Sequence, residues 1–163
     1  MPAPAASAYD YVLALHIIGV VLAFGWTFTL PIVYAVAGRI DPRSLPVLHR
    51  IEYTITRVML NPALVVILAA GIFLASDGHH WSEFLVQWGI AAIVMIGGLA
   101  GAILIPTAKR AEGAVRHDLE GWSGAGEFEP GTEYGAAVRR LNVFGGLASL
   151  LALVTIVIMA VKP

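Results

Sequence analysis

"ALHIIGVVLAFGWTFTLPIVYAVAG" occupies Ala14–Gly38, carries no formal charge and holds one imidazole, His16. Its length decides the fold class. A helix needs about 20 mainly apolar residues, at 1.5 Å each, to cross a bilayer. Between Asp10 and Arg39 lie 28 uncharged residues, and three further gaps have the same character. They hold 19 residues between Arg57 and Asp77, 25 between Glu83 and Lys109, and 21 between Arg140 and Lys162. None alternates with the period of a barrel strand. The pattern predicts an all-α bundle of four transmembrane helices, at about 10–38, 50–76, 83–110 and 139–161, forming one integral membrane domain over 1–163. The first run is too long for a signal-peptide core and no basic residue precedes it, so it reads as a retained helix.

Composition agrees. The chain is 58% hydrophobic and 13% charged, with mean hydropathy +0.80, against roughly 25% charged residues in soluble domains. A chain of 163 residues cannot hide that much apolar surface in one core, so lipid is its natural solvent. The net charge of −1 gives nucleic acid no electrostatic footprint, and the lack of cysteine excludes disulfides and thiolate metal sites.

Nine of the ten basic residues flank the first and third loops: Arg39, Arg43, Arg50 and Arg57, then Lys109, Arg110, Arg116, Arg139 and Arg140. The positive-inside rule places those loops in the cytoplasm and both termini outside. The middle of the third loop is glycine-rich and acidic, which predicts a mobile segment over about 117–135, while its flanks are candidates to extend the third and fourth helices beyond the lipid. His49 and His117 fall in charged cytoplasmic segments and read as solvated. Arg57 either snorkels to the headgroups or pairs with Glu52.

Ionisable groups inside a membrane are costly and tend to face protein or a cavity. His16 lies about 9 Å along its helix from Asp10, and Gln87 about 6 Å along the third helix from Glu83, so the two share a depth. Three readings of His16 stand: a hydrogen bond to Gln87, a backbone carbonyl or water; a cofactor ligand; or a ring snorkelling to the interface. Gly19 and Ala23 share its helix face, and Gly97 and Gly101 form a GxxxG pair on the third helix. These small residues suit either close helix contact or a slot for a flat cofactor. Pro31 and Pro106 free the carbonyls of Thr27 and Ala102 and predict kinks. A second polar layer is expected from Arg57, Asn61, Asn142 and Tyr34. The outer turn "SDGHHWSEF" sets Asp77, His79, His80 and Glu83 together, ligand types suited to copper or zinc, though in no standard motif.

"LALHIIGVVLAFGWTFTLP" resembles the first helix of HemJ-type protoporphyrinogen oxidases, with His16-Ile17-Ile18 at the start and Leu30-Pro31 near the end. "RRLNVFGGLASLLALVTIVIMAVKP" is similar to their last helix, with Asn142 near its start. The Met159–Pro163 ending resembles an uncharacterised bacterial family of four-helix membrane proteins, and both groups resemble the membrane domain of copper-resistance D proteins. The resemblance implies haem b between the helices, with His16 as axial ligand and Trp26, Gln87 and Asn142 near the cofactor. Met95 and Met159 offer a second thioether ligand. The HemJ-type third-helix lysine has no counterpart between Glu83 and Lys109, which argues against the oxidase reaction itself. The resulting expectation is a multi-pass protein of the bacterial cytoplasmic membrane, haem-binding and redox-related. The alternatives are a non-catalytic accessory subunit of a homo-oligomer or larger complex, and a metal-ion handler at the outer turn.

Overall fold

The computed structural model describes residues 6–124 and 126–161, and among these there is helix, turn and loop but no strand. Lys162 and Pro163, the end of the terminal motif, lie outside the described residues.

Three continuous rods dominate: Pro42–Asp77 of 36 residues, Phe84–Glu120 of 37 and Thr132–Val161 of 30. Each is long and apolar enough to cross a membrane. The first rod contains α3 (Leu45–Ile55) and α4 (Asn61–Asp77), joined by a π-turn at Thr56–Leu60. The second contains α5 (Phe84–Leu99) and α6 (Ile105–Glu120), joined by a π-turn at Ala100–Leu104. α7 is Thr132–Val161. Each π-turn ends just before a proline, Pro62 or Pro106, that cannot donate a backbone hydrogen bond. The wider turn absorbs the missing donor and the rod continues, so Pro106 does not end its helix.

The expected helix over 10–38 is instead two helices, α1 (Ala8–Phe24) and α2 (Leu30–Ile40). The five residues between them make tight turns. Thr27 Oγ1 donates to the Phe24 carbonyl at 2.8 Å and Thr29 Oγ1 to the Trp26 carbonyl at 2.7 Å. Pro31 supplies no N–H to Thr27, so hydroxyls and three-residue turns take over where the α-ladder fails. The other boundaries also move. The rods begin at Pro42 and Thr132 rather than near 50 and 139, and the second runs to Glu120 rather than 110. At 1.5 Å per residue a 36-residue rod is about 54 Å long, well beyond a hydrocarbon core of about 30 Å. The charged ends therefore continue as helix. The third loop shrinks from about 117–135 to residues 121–131.

Two cores hold the rods together. In one, α1 lies antiparallel on α4, with Ala23, Ala63, Ile67, Ile96, Ala100 and Ala152 buried. A Cβ on Gly19 would lie 2.8 Å from Ile67 Cγ1, so only glycine permits this approach. The other core sits where the basic residues gather, and packs α3 and α7 on α6 through Leu45, Ala108, Ala111, Val115 and Leu141. There the carboxylate of Glu112, only 8% exposed, pairs with Arg50 at 3.0 Å and Arg116 at 2.6 Å. Outward lie Val21, Leu22, Val65, Val94, Leu150 and Val157, all exposed. So broad an apolar exterior suits lipid rather than water.

Candidate functional site

His16 sits in the α1–α4 seam. Its Nδ1 lies 3.0 Å from the Ile67 carbonyl oxygen, which can only accept, so Nδ1 carries the proton and donates. The ring packs over Gly71, where a Cβ would stand in ordinary contact, 3.5 Å from His16 Cε1. Gly19 is filled over by Ile67 and Ala23 is fully buried. The small face beside His16 is thus a helix contact. Gln87 is exposed and makes no hydrogen bond to His16. Of the two methionines, Met159 fills the space over Gly89, and Met95 lines an apolar groove between α5 and α7. Only Gly97 of the GxxxG pair meets a neighbour, Leu64, while Gly101 faces open space.

In the turn after α4, His80 Nδ1 pairs with Glu83 Oε1. His79 takes a left-handed backbone conformation with φ 58°. Asp77 ends α4 without joining them. Among the described residues, no group of three or more His, Asp or Glu converges as a metal-ligand set.

A different histidine lines a cavity of about 810 Å³. His49, expected to be solvated, is 1% exposed. It stands one turn before Glu52 on α3, with Tyr34 from α2 on one side and Tyr134 from the first turn of α7 on the other. Tyr34 donates its hydroxyl proton to Glu52 Oε2 at 2.6 Å. The Tyr34 oxygen is 2.9 Å from His49 Nδ1, which donates to it, with Glu52 Oε2 a longer second acceptor at 3.3 Å. His49 Nε2 lies 3.2 Å from Tyr134 Oη. With the single Tyr34 proton given to Glu52, Nδ1 is the donor of the His49–Tyr34 bond. The His49 ring also packs on both phenols, with centroids 4.7 Å from Tyr34 and 5.6 Å from Tyr134. Glu52 therefore answers to His49 and Tyr34, and Arg57, its expected partner, is exposed and unpaired with it. Both bonds to the Glu52 carboxylate end on Oε2, which leaves Oε1 without a hydrogen-bond partner among the described residues.

The network forms one end of that cavity. The α1–α2 break supplies Phe24, Trp26 and Thr27 to its wall, and α7 supplies Asn142, Gly145 and Ser149. Trp26 and Asn142, singled out from the sequence, thus line the same space, while His16 and Gln87 lie outside its wall. The indole nitrogen of Trp26 is buried without an acceptor.

The loop at 121–131 contributes Phe128 and Pro130 to the wall. Trp122 meets Phe128 edge-on at 5.5 Å, and the Arg43 guanidinium lies 5.5 Å from the Trp122 ring centroid. The Gly131 N–H donates to Asp118 Oδ2 at 2.9 Å. A Cβ on Gly131 would lie 2.7 Å from Asp118 Oδ1, so any larger residue there displaces that carboxylate.

The signal for this site was present as His49-x-x-Glu52, a spacing that puts both side chains on one helix face. Their phenol partners come from 15 residues before His49 and 85 after it, so no local pattern announces the cluster. No known protein family, curated protein or solved structure matches the chain.

Proposed function

We propose that the chain is a four-span membrane protein that binds an amphipathic organic molecule in the cavity closed by Tyr34, His49, Glu52 and Tyr134. In this reading α1 and α2 together make the fourth crossing. The basic ends face the cytoplasm and both termini lie outside, in a bacterial cytoplasmic membrane. The basic-residue distribution supports that orientation.

The observation that carries the ligand is the cavity itself. Its volume of about 810 Å³ falls in the roughly 300–1,000 Å³ typical of ligand sites, and its polar groups converge at one end of an apolar, aromatic wall. The buried hydrogen-bonded chain orients the polar end of a ligand, and the wall takes the apolar remainder. Phe128 and Pro130 close the basic end. A Cβ added to Gly145, in the wall, meets nothing within 4 Å, so Gly145→Phe fills the cavity without a backbone clash. Native mass spectrometry of protein released from lipid nanodiscs tests the reading. Wild type and His16→Ala should retain a bound amphiphile that Gly145→Phe loses. Equal retention by all three, or no retained molecule in wild type, contradicts it.

Haem b on His16 is the second reading, and one observation favours it. With Nδ1–H donated to the Ile67 carbonyl, Nε2 carries the lone pair, the arrangement in which histidines commonly bind metals. Ile67 already fills the space at Gly19 and Ala23 is buried, so the packed seam does not fit a porphyrin as it stands. Spectra of the oxidised and dithionite-reduced protein test it. A Soret band abolished by His16→Ala supports haem, and a colourless protein removes it.

A further inference from the structure

The cavity described above has an unusual charge balance. Its wall includes one formally charged side chain, Glu52, and neither lysine nor arginine. Basic residues are plentiful around it but point elsewhere. Arg50 and Arg116 are spent on Glu112. Arg43 covers Trp122, and Arg140 covers Phe144 at 5.8 Å. Lys109 lies over the Tyr53 ring at 5.4 Å without joining the wall. The nearest basic side chain to the Glu52 carboxylate is His49, with Nδ1 3.3 Å from Oε2. Oε1 has no hydrogen-bond partner among the described residues, and Glu52 remains 14% exposed at the cavity.

Aromatic rings stand among the aliphatic and small residues of the rest of the wall. Phe24, Trp26, Phe28, Tyr34, Phe128 and Tyr134 present rings around the space. Ring faces carry negative potential and attract cations, most strongly where water is excluded. A carboxylate in a low-dielectric pocket does the same and repels anions. The two features select one ligand charge. An anionic amphiphile entering this space meets Glu52 and no lysine or arginine in the wall. A neutral one brings the carboxylate no counter-charge. A bulky organic cation, weakly hydrated and apolar at its edges, satisfies both the carboxylate and the rings.

We propose that the cavity takes lipophilic organic cations, with Glu52 as their counter-charge, held in place by Tyr34 and His49, and the aromatic wall as their solvent. Resting on the ligand-cavity reading above, this specifies the ligand class. Glu52 acts as a binding residue. Tyr34 and His49 act as positioning residues, because both bond to Oε2 and leave Oε1 to the ligand.

Three probes of similar size and different charge test it: tetraphenylphosphonium, tetraphenylborate and neutral triphenylmethanol. Each is measured by equilibrium dialysis against the full chain in nanodiscs, with binding to empty nanodiscs subtracted. Wild type should bind tetraphenylphosphonium at least tenfold more tightly than either other probe. Glu52→Gln should weaken that binding at least tenfold and leave triphenylmethanol unchanged. Gly145→Phe should abolish the saturable part, which separates the cavity from the outer surface. Tetraphenylborate or triphenylmethanol binding as tightly as the cation, with sensitivity to Gly145→Phe, overturns the charge assignment but leaves the cavity as a ligand site. No saturable binding of tetraphenylphosphonium overturns the cation proposal, and retention of an amphiphile in the mass-spectrometry experiment then decides the cavity separately. The charge contrast in wild type does not depend on the folding of any variant.

Discussion

Two histidines divide the molecule. His16, in the α1–α4 seam, makes one recorded hydrogen bond, to a backbone carbonyl, in a contact built from glycine and alanine. His49, near the basic end, is more deeply buried and touches three polar side chains at the end of a large cavity. Sequence reasoning singles out the first because it interrupts an apolar run, and passes over the second because charges surround it. Apolar neighbours in sequence do not make a site when small residues let helices close over the ring. Charged neighbours do not imply solvation when a helix continues past the lipid and packs its inner face.

The comparison can be broken most forcefully at its closed half. Gly19→Leu forces a side chain into Ile67, and such overpacking costs about 3 kcal/mol. It should part α1 from α4, and thermal unfolding in detergent should show the largest drop of any substitution proposed here. A tolerated leucine contradicts the packed seam. Next comes His49→Ala, which leaves the hydroxyl of Tyr134 without its hydrogen-bond partner and removes a donor from Tyr34. Stranding partly buried partners costs about 2 kcal/mol, seen as a lowered unfolding midpoint. His16→Ala should cost less, about 0.6–1 kcal/mol, the usual worth of a hydrogen bond between membrane helices. A larger effect at His16 than at His49 reverses the ranking on which the two-region account rests. His80→Ala should stay within about 0.5 kcal/mol, because its pairing with Glu83 is half-exposed. A midpoint that rises with added copper or zinc in wild type, and not in His80→Ala, restores the metal reading of that turn.

The all-helical fold was legible because the spacing of charges marks membrane helices with little interference from local propensity. Three of the four apolar runs form the core of rods long enough to cross a membrane. The first does not form one helix, and its sequence gave mixed signals. Glycine, threonine and proline are all tolerated in membrane helices when neighbours satisfy the backbone. Only the arrangement at Thr27, Thr29 and Pro31 shows that the α-ladder gives way there. Extension of the third and fourth helices into the flanks of the third loop was legible, but the exact ends were not: Arg50, Glu112 and Arg116 read as loop charge, yet pair across two helices. At the candidate site, Trp26 and Asn142 were visible as polar atoms in apolar runs. Tyr34 was noticed near the same layer, and Tyr134 was not, because its role depends on α7 beginning at Thr132.

Cysteine reactivity tests the open half against the closed half most directly, and the absence of native cysteine makes the background clean. Ala148 lines the cavity and Ala23 is 0% exposed in the seam. With N-ethylmaleimide in nanodiscs, Ala148→Cys should be modified at least tenfold faster than Ala23→Cys. Equal rates, or faster modification at position 23, contradict the division of the molecule into a packed seam and an accessible binding cavity.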